Sequence, residues 1–229
     1  MKKIFILALI LTSMIISSCA TSPENAGISE EEINADAVKA YAEVKSKSKI
    51  STNSEWTAIV QRVSKRIAAA SGKNYPWEYI LIESPEVNAW CMPGGKMAVY
   101  TGIMKVVKTE AALAAVMGHE VAHATLRHGM ENYARAKQQN IASLLLAGVA
   151  TVGAAALCET DNCRQNTMLI GGLSAGVVQF VYTKFSRADE TAADQEGQLY
   201  MARAGYDPSE SIKLWDRMNA ASGGKAPPE

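Results

Sequence analysis

The chain has 229 residues, 48% of them hydrophobic, and its 23 basic and 23 acidic side chains cancel to a formal net charge of zero. That length and apolar content support one sizeable folded core. No basic run occurs beyond the extreme N-terminus, which excludes a nucleic-acid partner read from charge.

Lys2 and Lys3 precede an apolar run over residues 4–16, followed by Ser17-Ser18-Cys19. The run is short for a membrane span, and small residues before a cysteine fit a bacterial lipoprotein signal over 1–18, cleaved ahead of a lipid-bearing Cys19. A plain secretory signal is the alternative. Ala20, where an aspartate is absent, resembles lipoproteins sorted to an outer membrane, so the expected location is the cell envelope, lipid-anchored and facing the periplasm. Residues 19–28 read as a tether, because Pro23, Asn25 and Gly27 discourage regular structure.

A folded domain is expected over 29–222. Ser29 and Glu32 have the spacing of a capping box and start a helix. A second helix places Trp56, Ile59, Val60, Val63 and Ile67 on one face. Residues 79–82 and 97–100 predict strands around a Pro93-Gly94-Gly95 turn, and an edge strand there could pair with an extended peptide, with Asn88 and Ala89 as candidate substrate contacts. A buried hairpin without substrate contact is the alternative. Cys91 reads as packed core, with an extra or inhibitory zinc ligand as the lesser reading.

Thr109 caps a proline-free stretch over 110–137 that reads as a helix and carries His119-Glu120-Val121-Ala122-His123. Histidines four residues apart return to one helix face, about 40° apart, so both imidazoles can reach one metal ion, and the intervening carboxylate can serve as base to a water held there. Gly118, costly to a helix, suggests close backbone packing just before the first histidine, with an incidental small residue as the alternative. His128 falls half a turn away and cannot join the same metal without a break in the helix. Leu126 and Gly129 occupy the positions where a metzincin requires Gly and His, so the third ligand is expected to be acidic.

Two apolar runs follow, over 141–157 and 168–182. Both are short and rich in small residues, which favours a buried hairpin, or a lid, over membrane spans; dipping into the membrane is the other reading. Cys158 and Cys163 in the polar connector could form a local disulfide in an oxidising compartment, or remain free thiols. The helix-like segment from 185 toward Gly205 offers Glu190 as the third ligand. One turn on, Asp194 could accept a hydrogen bond from a ligating histidine. Arg187 could pair with either carboxylate, polarise a substrate carbonyl, or form an ordinary helix salt bridge. Asp189 reads as solvated surface charge. A last helix is expected over 209–219, then a flexible tail over 223–229.

Four blocks occur in order across 88–208: Asn88 to Lys96 with Tyr100-Thr101-Gly102; the HEVAH pentapeptide with Arg127-His128-Gly129; Ser186-Arg187 leading to Glu190 and Ala193-Asp194; and Ala204-Gly205-Tyr206-Asp207-Pro208. Together they resemble peptidase family M48, which includes membrane CAAX-type endopeptidases and soluble periplasmic enzymes. The resemblance implies a mainly helical α+β, zincin-like domain with a small sheet beside the HEVAH helix. It implies one Zn2+ per chain held by His119, His123 and Glu190, Glu120 as general base, and Asp194 supporting a ligand. Members of this type continue into a Ser-Thr-His-Pro segment with a further arginine; residues 223–229 read as the loop leading there, and the expectation is a shortened version or an incomplete reading frame.

The expected activity is zinc-dependent endopeptidase action on unfolded or extended polypeptide, with Tyr182, Arg187 and Asn88 as candidates for holding the oxyanion. Envelope location and family resemblance together imply quality control of misfolded or stalled envelope proteins, with the envelope assembly machinery as a partner. The alternatives are a lipoprotein chaperone or assembly factor with a noncatalytic or latent zinc site, and an inactive shortened paralogue.

Overall fold

The computed structural model describes residues 27–147 and 175–221. The expectations on Cys19, on the Cys158 and Cys163 pair, on the signal segment and on most of the proposed hairpin lie outside these residues. In chain order the elements are α1 (Glu30–Lys47), α2 (Ser54–Ala70), β1 (Glu78–Ile82), β2 (Ala89–Met92), β3 (Lys96–Tyr100), α3 (Thr101–Val107), α4 (Glu110–Thr125), α5 (His128–Ala147), α6 (Ala175–Val181), α7 (Arg187–Arg203) and α8 (Glu210–Ala221). Among the described residues, no helix is long and apolar enough to cross a membrane.

Local chemistry starts most of these helices. Ser29 caps α1 by accepting the Glu32 amide at 3.1 Å, Asn53 caps α2 through the Trp56 amide, and Thr109 caps α4 through the Ala112 amide. Along α1 the buried residues Ile33, Ala37, Ala40, Tyr41 and Val44 form one helical stripe.

The sheet has the order β1-β3-β2, with β1 parallel and β2 antiparallel to the central β3. All five residues of β3 are buried, and their alternation divides the interior in two. Met97 and Val99 join a core built from α2, α3, α4, α7 and α8, whereas Ala98 and Tyr100 join a second core with α1, α5 and α6. The buried Lys96 is satisfied by Glu78 Oε1 at 2.8 Å and by the Pro76 carbonyl.

The expected α+β architecture with a small sheet beside the HEVAH helix is therefore present. Two local expectations change. The segments 79–82 and 97–100 are not partners across a hairpin turn: they run parallel, and the 93–95 turn connects β2 to β3. The stretch 110–137 is not one helix either. α4 ends at Leu126, Arg127 takes φ +69°, and a new helix begins at His128. Nothing in local propensity marks that break, because Arg127 is not a residue that favours a left-handed backbone.

Candidate metal centre

α4 runs through the larger core, and eleven of its sixteen residues are buried, including Leu113, Met117 and Val121. Its C-terminal half packs against α7 at a crossing where Gly118 meets Gly197. α7 owes its start to a full capping box: Ser186 Oγ accepts the Asp189 amide, and Asp189 Oδ2 accepts the Ser186 amide at 3.0 Å. That start places Glu190 and Asp194, one turn apart, against the histidine face of α4.

There His119 Nε2 and His123 Nε2 lie 3.0 Å apart. Glu190 adds one carboxylate oxygen 3.3 Å from His119 Nε2 and the other 3.7 Å from His123 Nε2. Among the described residues these three form a group whose ligand atoms all lie within 4.8 Å of one another. Bonds of roughly 2.0–2.1 Å in tetrahedral geometry separate neighbouring donors by about 3.3 Å, a spacing that the two imidazole nitrogens and the nearer Glu190 oxygen approach. Two imidazole nitrogens at 3.0 Å are at the distance of an N–H···N hydrogen bond, in which one ring donates and the other accepts.

The remaining nitrogens are occupied. His119 Nδ1 is 2.8 Å from Asp194 Oδ1, and His123 Nδ1 is 3.0 Å from His128 Nδ1. His123 is also stacked on Phe185, with ring centroids 3.9 Å apart and planes inclined by 20°. The electrostatics follow from these partners. For His119, burial works against protonation, but hydrogen bonds to Asp194 and Glu190 outweigh it and raise its pKa to about 10. His123 has the Glu190 carboxylate only at 3.7 Å; burial, then the charges of His119 and His128, lower its pKa to about 3 against the opposing charge of Asp189. Burial pushes Glu120 up to about 7, with nearby His119 pulling down and Glu190 pushing up.

His119 and Glu120 line a cleft of about 250 Å³ whose walls are otherwise largely apolar, with Val87, Ala89, Ile103, Val116, Trp215 and Met218 among them. Asn88 and Ala89 lie in this lining, and Asn88 Nδ2 donates to Glu86 Oε1 at 3.0 Å. The Asn88 carbonyl accepts the Tyr100 amide. By the alternation of an antiparallel ladder, the peptide groups of Ala89 and Cys91 then face the outer edge of β2.

Other candidates are placed elsewhere. Arg187 is exposed in the first turn of α7 and is not part of the cleft lining. Tyr182 sits with Tyr100 and Glu86, where burial raises its pKa. Cys91 is a free thiol outside the histidine–glutamate group, and burial, then the charge of Glu120, raises its pKa. Asp189 is not a solvated surface charge: it completes the α7 cap and stands 3.7 Å from His128 Nε2. Burial raises its pKa, but hydrogen bonds from Ser186 outweigh that and hold it below the usual carboxylate range. Sequence spacing missed His128 and Phe185, because both reach His123 only after the helix break and the return of the chain from α6.

The profile of peptidase family M48 matches residues 51–227, which is most of the chain. The protein belongs to this family. It is 38% identical over 174 residues to the mitochondrial metalloendopeptidase OMA1 of Schizosaccharomyces pombe, covering 74% of this chain and 47% of that protein. Similarity to the OMA1 protein of Arabidopsis thaliana is 31% over 173 residues, covering 74% and 32%. To the beta-barrel assembly-enhancing protease of Escherichia coli it is 29% over 175 residues, covering 76% and 35%. The chain thus spans less than half the length of these curated relatives. The family is one of metallopeptidases, and among the described residues His119, His123 and Glu190 form a group that could hold a metal ion.

Proposed function

We propose that the protein is a zinc endopeptidase acting on unfolded or extended polypeptide, with His119, His123 and Glu190 holding the metal and Glu120 as general base. The observation that carries this reading is the convergence of His119, His123 and Glu190, whose ligand atoms lie within 4.8 Å of one another, beside a largely apolar cleft lined by His119 and Glu120. When bound, zinc supplies Lewis acidity toward a water and a peptide carbonyl.

The chain's own residues do the rest. Glu120 takes a proton from the attacking water and returns it to the departing amine, work suited to a group titrating near neutral pH. Asp194 accepts the Nδ1 proton of His119, so the Nε2 lone pair faces the metal. The outer edge of β2 pairs with an extended substrate through the peptide groups of Ala89 and Cys91, and Asn88, in the cleft lining, is a candidate amide for the reacting carbonyl. The apolar walls receive a substrate side chain and exclude water around it.

In this reading Cys19 anchors the protein by lipid to an outer membrane, facing the periplasm, and the substrates are misfolded or stalled envelope proteins. The similarity to the beta-barrel assembly-enhancing protease of Escherichia coli supports an association with envelope assembly. Glu120 weighs against the chaperone alternative, because a purely structural zinc site has no use for a carboxyl beside an open coordination position.

The test is cleavage of casein by the zinc-loaded protein beside its Glu120→Gln counterpart. Cleavage confined to the parent, with one zinc in each, supports the proposal; no cleavage by either, with zinc in both, favours a latent or chaperone-like protein. Radiolabelled palmitate incorporation that is lost in Cys19→Ser tests the anchor separately.

A further inference from the structure

We propose that His128 is a positioning residue for the metal centre: its Nδ1 accepts the Nδ1 proton of His123 and so locks His123 in the tautomer that presents Nε2 to the metal. This rests on the reading of His119, His123 and Glu190 as metal ligands. A neutral imidazole donates from one nitrogen and accepts at the other, and which is which is set by its partners. His123 Nε2 faces His119 and Glu190, so its proton belongs on Nδ1. The atom within hydrogen-bond reach of that nitrogen is His128 Nδ1, at 3.0 Å. His128 must then carry its own proton on Nε2, which points toward Asp189 Oδ1 at 3.7 Å, an ion-pair distance longer than a direct hydrogen bond.

The surroundings hold this arrangement. His123 is 3% exposed and His128 8%, so the contact between the two rings is shielded from solvent. The break at Leu126 and Arg127 turns the chain so that His128 stands behind His123, with the two ring planes inclined by 72°. Phe185 stacks on a face of His123 and holds the plane of that ring against His128. Asp189 is itself fixed by the Ser186 cap. Ligating histidines usually donate to a carboxylate, a carbonyl or water, as His119 does to Asp194; here the second ligand is held by an imidazole.

The test compares the parent with His128→Leu, which removes the acceptor, and His128→Asn, whose amide oxygen replaces it. Long-range proton–nitrogen correlation spectra of the metal-free proteins report the His123 tautomer, and chelator competition reports zinc affinity. We expect the Nδ1–H tautomer in the parent and in His128→Asn, and a mixture of tautomers in His128→Leu together with about 10- to 100-fold weaker zinc binding. A folded His128→Leu protein with the parent's tautomer and zinc affinity overturns the proposal. A His128→Asn protein as impaired as His128→Leu also overturns it, because a lost acceptor would have been restored without effect. A parent that binds no zinc, yet loses its His123 tautomer in His128→Leu, sinks the ligand reading and retains the role of His128.

Discussion

Gly118 and Gly197 cross with no room for a side chain between them: a Cβ on Gly118 would stand 2.7 Å from the Gly197 carbonyl oxygen, and one on Gly197 2.8 Å from the Gly118 carbonyl carbon. Gly118 directly precedes His119, and Gly197 lies one turn beyond Asp194. Their contact sets how closely the carboxylates of α7 approach the histidines of α4.

Replacing Gly197 by alanine should therefore destabilise the protein despite the higher helix propensity of alanine. The propensity gain is about 1 kcal/mol, whereas overpacking against unyielding backbone costs about 1–3 kcal/mol. Urea unfolding of Gly197→Ala should show a lower midpoint, and chelator competition should show weaker metal binding as Glu190 and Asp194 are pushed outward.

Glu120→Gln keeps the shape of the side chain and removes its basicity. The expected result is a fall in kcat by about 10²- to 10⁴-fold, with metal content unchanged by mass spectrometry. Loss of the metal instead would assign Glu120 a structural role.

Metal-free protein should lose stability as pH rises from neutral to about 10. The folded pKa of His119 is raised to about 10, above the unfolded value of about 6.5. The folded state therefore holds the proton more tightly; its stabilisation is fully present below pH about 6.5 and disappears as pH passes through the folded value. Thermal melts across this range should show the decline in the parent and a flatter profile in Asp194→Asn, which removes one of the two hydrogen-bonding carboxylates. Because a metal must displace this same proton, binding should release protons, measurable by calorimetry in buffers of different ionisation enthalpy.

Trp215 is 46% exposed and forms part of the cleft wall. Truncation to alanine should change fold stability little while raising KM for peptides with a large apolar residue beside the scissile bond, leaving kcat close to the parent's. That pattern marks a contact made equally in ground and transition states. An unchanged KM would place the substrate side chain elsewhere.

The elements that depend on a few neighbouring residues were legible without a structure. The four-residue interval of His119 and His123 on one helix face is a property of helix geometry, and Thr109 caps its helix through a contact only three residues long. Ser29 does the same, and the stripe of Val60, Val63 and Ile67 follows from the same periodicity. Gly118 also declared itself, since a helix carries a costly glycine where something must come close. By contrast, the parallel pairing of β1 with β3 and the position of β2 at the edge depend on contacts across a dozen or more residues, which local alternation of apolar side chains does not specify.

The centre itself divides along the same line. The sequence alone determined that His119 and His123 share a helix face with Glu120 between them, and that Glu190 and Asp194 lie one turn apart, because each is a spacing within one helix. Only the tertiary structure decided that Glu190 lies 3.3 Å from His119, that Asp194 reaches its other nitrogen, and that a break after α4 brings His128 behind His123. Those distances arise from two helices crossing at paired glycines and from the helix break at Arg127, whose φ of +69° departs from its local preference. Helix spacing operates over one or two turns; the placement of one helix against another is set by the shape of everything packed around both.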